Sequence, residues 1–216
     1  MSRSTTTYPP DIVQLSLKIQ RRLALVMLSV WLVVFALAPV NAASMGSAPA
    51  GDKASSSQSR DGLSELMSDQ FMLGKADFDW LWWTIYQAKL FHPTGQFDFN
   101  NLPGTVLLLN YQMDIDKEDL LEQTMEQWQQ LDIGDHQQQA QWLTQLHQLW
   151  PDVTEGDELI VQVANDGSSE FWFRRGSELK NLGRIDSASF TRDFLSIWLL
   201  ERAEHQQFRL ALLGAN

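Results

Sequence analysis

The chain has 216 residues, with 16 basic against 27 acidic side chains, a formal net charge of −11 and no cysteine. This acidic balance argues against a nucleic-acid partner, because a negative surface repels phosphate backbones. Without cysteine the fold cannot rely on disulfides, so its stability must come from a buried core.

The first 42 residues are typical of a secretory signal. Lys18, Arg21 and Arg22 precede an apolar run over residues 23–38, and Val40-Asn41-Ala42 supplies small residues for cleavage. We therefore expect cleavage after Ala42 and a periplasmic location. An uncleaved anchor is the alternative, since the run approaches the roughly 18 apolar residues of a spanning helix. The membrane would then be contacted only through this segment.

Residues 43–60 are rich in Ser, Ala and Gly and have no apolar period, which predicts a flexible linker. Residues 61–216 are then expected to form one domain of about 155 residues, enough for a substantial core. Once the first 42 residues are removed, 12 basic and 26 acidic side chains remain, and the net charge is near −14.

The first structured stretch predicts strands, and two helices follow. Residues 69–91 are apolar with a period of two, which indicates strands covered on both faces. Gly74 is expected to mark a bend or bulge that divides them into two strands. Residues 105–113 predict another strand. Asp116 is expected to cap a helix through residue 131, and a second helix is expected over 137–150.

A hairpin and a helical end complete the pattern. Residues 158–164 and 170–175 flank Asn165-Asp166-Gly167, which is typical of a hairpin turn, and a short strand is expected near 179–185. Asp186 or Ser187 is expected to cap a last long helix. Strands followed by two helices, a meander and a helical end predict an α+β domain rather than a doubly wound parallel sheet.

The sequence contains no motif of common catalytic chemistry. Gly-x-Ser-x-Gly, a phosphate-binding glycine loop and the dinucleotide fingerprint are all missing, so no cofactor is predicted. The histidines are scattered without metal-ligand spacing, so we predict no metal site and expect all four at the surface. These residues are His92, His136, His147 and His205.

A series of short motifs occurs in a fixed order through the last third of the chain, with Ile85-Tyr86-Gln87-Ala88-Lys89-Leu90 upstream. The series is Trp150-Pro151-Asp152-Val153, Gly156-Asp157, Phe190, Phe194, Ile197-Trp198-Leu199, Arg209 and Leu212-Leu213-Gly214. This order resembles the bacterial, exported branch of the chalcone isomerase-like family, over about residues 69–214. The resemblance implies a large antiparallel sheet with helices packed over one face.

The resemblance also implies positions for catalytic residues. Plant isomerases of this fold hold the substrate with an arginine on an early strand, a threonine nearby, and a tyrosine and an asparagine on the following helix. With Tyr86 and Trp128 as fixed points, these four positions hold other residues here, so no catalytic residue is assigned and isomerase activity is not expected. The residues found there are Phe78 or Asp79, Leu81, Asp116 and Gln123.

Plant relatives that bind fatty acids use the same arginine for the carboxylate. Its loss leaves Lys89, Arg174 and Arg175 as candidate substitutes. Trp82, Tyr86 and Tyr111 lie on aromatic strand faces near the cleft that the family implies, and such a cleft suits an apolar ligand. Alternatively, these rings are simply core residues.

The predicted ligand-binding set is therefore Trp82, Tyr86, Lys89 and Tyr111. The leading hypothesis is a non-catalytic exported domain that binds a small apolar or acyl-chain ligand. The alternative is a module that interacts with, or acts as a scaffold for, another envelope protein through its acidic surface or C-terminal helices.

Overall fold

The computed structural model describes residues 66–80, 83–203 and 205–215. The chain divides into two units, Met1–Ala50 and Gly51–Asn216, and every described residue belongs to the second. The predicted signal segment, the predicted linker and Trp82 lie outside the described residues. The elements in chain order are β1 (Phe71–Trp80), β2 (Trp83–His92), β3 (Val106–Tyr111), α1 (Lys117–Leu131), α2 (His136–Leu149), β4 (Glu158–Val163), β5 (Ser169–Arg175), β6 (Glu178–Ile185), α3 (Ala188–Leu199) and α4 (Gln206–Leu212).

These six strands form one antiparallel sheet in the order β1-β2-β3-β4-β5-β6. Each strand pairs with the next one in the chain, although α1 and α2 are inserted between β3 and β4. Antiparallel neighbours need only short connections, so the sequence order can become the spatial order. The predicted α+β class, a large antiparallel sheet with helices over one face, is confirmed.

The pleat gives the sheet two faces with different contents. On the helix-covered face, Leu90, Leu109, Leu159 and Phe171 are each at most 5% exposed and join the large cluster to which all of α1–α4 contribute. The opposite face, called the second face below, carries residues adjacent to these on the same four strands. Its members on β2–β5 include Lys89, Leu108, Ile160 and Trp172.

Helix α3 lies at the centre of the core. Phe190 and Phe194 stack one turn apart with ring centroids 5.4 Å from each other, and both contact the ring of Phe171 on β5. Trp128 of α1 is fully buried and donates its Nε1 hydrogen to the backbone oxygen of Asp193 at 3.0 Å. Burying each of these aromatic side chains stabilises the fold by about 2–3 kcal/mol.

Helices α1 and α3 begin directly after Asp116 and Ser187, which are predicted cap positions. Asp135 caps α2 by accepting from the Gln138 amide at 2.8 Å, and Ser187 caps α3. Helix α1 follows Asp116 as expected, but the carboxylate of Asp152 accepts from the Lys117 amide there. The C-terminal part of the chain forms two helices: α3 ends at Leu199, and α4 is a separate helix.

Gly74 lies inside β1, so the predicted division of the first stretch at this residue is wrong. The break between β1 and β2 falls at residues 81–82. The predicted bulge at Gly74 is confirmed, because the register against β2 shifts between Met72 and Gly74. A Cβ on Gly74 would collide with the carbonyl oxygen of Ala211 and lie 2.8 Å from the amide nitrogen of Gly214. Glycine therefore lets the C-terminal end of α4 pack directly against the β1 backbone.

His92 is fully buried, so the prediction that all four histidines lie at the surface is wrong for this residue. Its Nδ1 accepts from the Thr94 amide at 3.2 Å, and its Nε2 lies 3.0 Å from the carbonyl oxygen of Asn101. These partners assign the neutral tautomer with hydrogen on Nε2. His92 thus ties the turn after β2 to the loop that leads into β3.

Candidate functional site

The structure brings together two of the four predicted ligand-binding residues. Tyr86 on β2 and Tyr111 on β3 are direct cross-strand partners, and their ring centroids are 6.0 Å apart. Both lie on the helix-covered face. Lys89 pairs with Leu108 on the second face, because residues an odd number of positions apart point to opposite sides of a strand. Lys89 therefore cannot share a site with the tyrosines.

The other two candidate cations are committed to ion pairs. Arg174 on β5 bonds the nearly buried carboxylate of Glu158, its cross-strand partner, with 2.5 Å between Nη2 and Oε1. Arg175 bonds Asp157, with 2.6 Å between Nη2 and Oδ2. Neither guanidinium takes the place of the missing arginine beside Tyr86.

The phenol of Tyr86 is enclosed by other rings. Its ring stacks on Phe78 at 5.0 Å with an interplanar angle of 9°, and the edge of Phe208 approaches at 6.2 Å between centroids. Its hydroxyl accepts a hydrogen bond of 2.9 Å from Nε1 of Trp198. Burial raises the pKa of this phenol, and the Trp198 bond opposes the rise only in part. Tyr86 is therefore neutral and held in one orientation.

Tyr111 belongs to the packed core. Its side chain is 3% exposed, and burial together with the neighbouring Tyr86 raises the pKa of its phenol. A phenol that keeps its proton well above neutral pH is unsuited to proton transfer. The two tyrosines therefore contribute packing to the core and do not supply an acid or a base.

An open groove lies next to this pair, between β1 and α4. Its volume is about 630 Å³, within the range of small-molecule sites. Phe78, Phe208 and Ala211 are apolar parts of its lining, and Phe78 separates it from Tyr86. The remaining lining residues are Lys75, Ala76, Asp77, Asp79, His205, Gln206 and Gln207.

The rim of the groove carries charges of both signs. Asp77 and Asp79 are both held by β2, since Asp77 accepts from the side-chain Nε2 of Gln87 at 2.8 Å and Asp79 accepts from the Thr84 hydroxyl at 2.7 Å. Lys75 and His205 are the basic residues of the lining. His205 packs edge-on against Phe78 at 5.0 Å between ring centroids. The groove therefore combines an apolar floor with a rim that carries charges of both signs.

Sequence reasoning missed the contribution of α4 to this groove. Phe208 and Ala211 line it only because the end of α4 packs on β1 at Gly74. The one signal in the sequence was Gly74 itself, since a glycine inside a strand often marks a close backbone approach. It does not say which element approaches.

The motif residues that carry the family resemblance perform structural tasks. Val153 forms a β-bridge with Ile115, and Nε of Arg209 donates to the Leu199 carbonyl oxygen at 2.8 Å at the end of α3. Asp157 is buried, which alone would raise its pKa, but bonds from Arg175 and Thr154 outweigh burial and lower it. These residues fix loops and helix ends, so their order predicts a fold more directly than an activity.

The described part of the chain offers neither a metal site nor a membrane-spanning helix. Within it, no group of three or more histidine, cysteine or acidic side chains could hold a metal ion. No helix within residues 66–80, 83–203 and 205–215 has the length and apolar character that crossing a membrane requires.

The described domain is thus a helix-covered antiparallel sheet with a groove at its edge strand. Residues 79–214 match the family model described as chalcone isomerase-like. The chain therefore belongs to the chalcone isomerase-like family. No curated protein matches it.

The structure is similar to that of a fatty-acid binding protein from Arabidopsis thaliana. The two are 12% identical, and the match covers 68% of this chain and 87% of the other, with a TM-score of 0.52. This likeness concerns the fold, which both proteins share across most of their length.

Proposed function

We propose that this domain is a non-catalytic binding protein for a small apolar or acyl-chain molecule, held in the groove between β1 and α4. The observation that carries the proposal is the apolar floor formed by Phe78 and Phe208 in a space of about 630 Å³. The plant neighbour is itself a fatty-acid binding protein, which supports this class of ligand.

The residues at the inherited catalytic positions support binding without turnover. The resemblance aligns the arginine of the plant isomerases with Phe78 or Asp79; Phe78 stacks on Tyr86, and Asp79 is bonded to Thr84. A phenyl ring provides apolar contact but cannot polarise an anionic oxygen as a guanidinium does. Asp116, which the resemblance aligns with the tyrosine, directly precedes α1.

A fluorescent acyl-chain acid, such as dansyl-labelled undecanoic acid, tests the proposal directly. The wild-type protein should enhance the emission of the probe, and unlabelled fatty acid should displace it. Gln207→Trp fills the groove from an exposed position on α4 and should weaken binding at least about tenfold, as a blocked pocket requires.

The matched control is Gln148→Trp, an exposed glutamine on α2 that lines a different surface depression between α1 and α2. This variant should bind the probe as the wild type does. Equal losses in both variants would show that the probe binds elsewhere. No binding by the wild type would reject the proposal and favour the interaction-module alternative.

We also propose that the domain works in the periplasm after removal of residues 1–42. The support is the order of basic, apolar and small residues in this segment. N-terminal sequencing of the protein from a periplasmic extract should begin at Ala43. Recovery of the intact chain in the membrane fraction would instead support the uncleaved anchor.

A further inference from the structure

The second face of the sheet carries an apolar cluster that lies away from the helices. Its centre is Val106, Leu108 and Ile160, whose exposed fractions are 0%, 4% and 0%. Side chains on a bare sheet face keep much of their surface in water, so such low values require a covering layer.

Four partly buried side chains pack against this centre, and three of them belong to the sheet. They are Phe91 on β2, Trp172 on β5, Leu179 on β6 and Met67. Among the described residues of this cluster, Met67 alone comes from outside the strands. The Gln70 amide donates to the Met67 carbonyl oxygen at 3.2 Å, in the turn that leads into β1. The chain therefore approaches β1 from over the second face.

We propose that residues 61–66, directly before Met67, form the cover of the second face. Residues 61–65 lie outside the described residues, and Leu66 is partly buried. In the sequence Asp-Gly-Leu-Ser-Glu-Leu-Met, the residues Leu63, Leu66 and Met67 are spaced i, i+3 and i+4. This spacing brings apolar side chains together on one side of a helical turn. Met67 already rests on the cluster, so no further linker is needed to reach it.

The charges of the second face favour the same segment. Lys75 and Lys89 are direct cross-strand partners on this face, and neither forms an ion pair within the described part of the chain. Like charges opposite each other on a sheet repel. The segment contributes the acidic residues Asp61 and Glu65, whose negative charges would offset the repulsion between the two lysines.

The indole of Trp172 points to an apolar cover as well. Its Nε1 is buried and has no hydrogen-bond partner, although the residue as a whole is partly exposed. A buried donor without a partner is uncommon, and an apolar layer over the ring removes water without replacing its hydrogen bond. Leucine side chains at residues 63 and 66 provide such a layer.

The absence of cysteine makes thiol labelling a direct test in the full chain. Leu108→Cys and Leu109→Cys place single thiols on adjacent β3 residues that are 4% and 5% exposed, on the second face and the helix-covered face. Both thiols should react slowly with maleimide. Adding Leu63→Asp and Leu66→Asp should speed the reaction of the thiol at position 108 at least tenfold and leave the rate at position 109 unchanged.

An unchanged rate at position 108 would overturn the proposal. A second variant tests the apolar run over residues 23–38 as the cover instead: if Val33→Asp, rather than the changes at Leu63 and Leu66, speeds the reaction of the thiol at position 108, the proposal is also overturned. If both thiols react faster, a second measurement decides. Leu63→Cys is combined with Gln162→Cys, the cross-strand partner of Val106, or with exposed Gln148→Cys on α2. A short bis-maleimide should crosslink only the first pair, and failure to do so would overturn the proposal. Neither result bears on ligand binding in the groove.

Discussion

The two faces of the sheet use the same strands in different ways. The helix-covered face contributes residues from all six strands to one core with α1–α4, built around stacked rings such as Phe171, Phe190 and Phe194. Among the described residues, the buried apolar cluster of the second face consists of Val106, Leu108 and Ile160, and a row of polar side chains lies beside it. That row contains Asp77, Gln87, Asn110, Glu158 and Arg174.

This difference indicates which face holds the fold together. Aromatic contacts on the helix-covered face join elements far apart in the chain, so they must form together. The second face relies on cross-strand pairs, such as Glu158 with Arg174, and on a small apolar cluster that Met67 contacts. Changes on the helix-covered face should therefore unfold the domain more readily than changes on the second face.

Substitutions at two adjacent residues of β5 provide the strongest test of this contrast. Phe171→Ala removes a fully buried ring from the helix-covered face and should lower the free energy of unfolding by about 4 kcal/mol. Trp172→Ala, on the partly buried second-face side, should cost about half as much despite the larger ring. Urea denaturation gives both values. Equal losses would contradict the ranking of the two faces.

Gly74→Ala tests how α4 joins the helix-covered face. The new methyl group would meet backbone atoms of Ala211, Leu212 and Gly214, which cannot move aside as a flexible side chain can. We expect a loss of about 3 kcal/mol, and easier proteolysis after α3. Gly176→Ala is the control, since it has a φ of +58° but open space around it, and should cost about 1 kcal/mol. Similar losses would argue against the close packing of α4.

Asp157→Asn tests the loop that joins α2 to β4. The substitution weakens the bonds to Arg175 and should cost about 2 kcal/mol at neutral pH. Because the folded pKa lies below the ordinary value of 3.8, the carboxylate stabilises the fold above that pH. Its contribution disappears as the pH falls through the folded pKa, so the two proteins should converge in acid. Thermal melts at several pH values measure the difference in stability between the two proteins. A difference that stays the same at every pH would exclude this ion pair as its cause.

Asp193→Asn should have the smallest effect, and it should stabilise the protein. Burial raises the pKa of Asp193, and a hydrogen bond from Gln139 with the charge of Arg192 offsets only part of this. A raised folded pKa means that the ionised form is penalised as the pH rises through it. The amide avoids this penalty, so we expect a gain of about 0.5 kcal/mol at neutral pH, limited by solvent screening. Below the ordinary value of 3.8 the gain should vanish, and a loss at neutral pH would contradict it.

Local patterns in the sequence predicted most of the elements. The hairpin around Asn165-Asp166-Gly167 and the cap at Ser187 depend on turn and capping chemistry within a few residues, so the structure confirms them. Asp116 directly precedes α1 as predicted, but its side chain makes no capping hydrogen bond. The division at Gly74 was wrong because a bulge and a strand end have the same local signal. His92 was misassigned because its burial depends on a loop nine residues further along the chain.

The amino-acid sequence by itself determined the α+β class and the family, since both are written in residue order and type. Tertiary structure decided the composition of the candidate site. The docking of α4 on Gly74 brought Phe208 beside Phe78. Such contacts join residues more than a hundred positions apart, and no local period of the chain specifies which of them will meet.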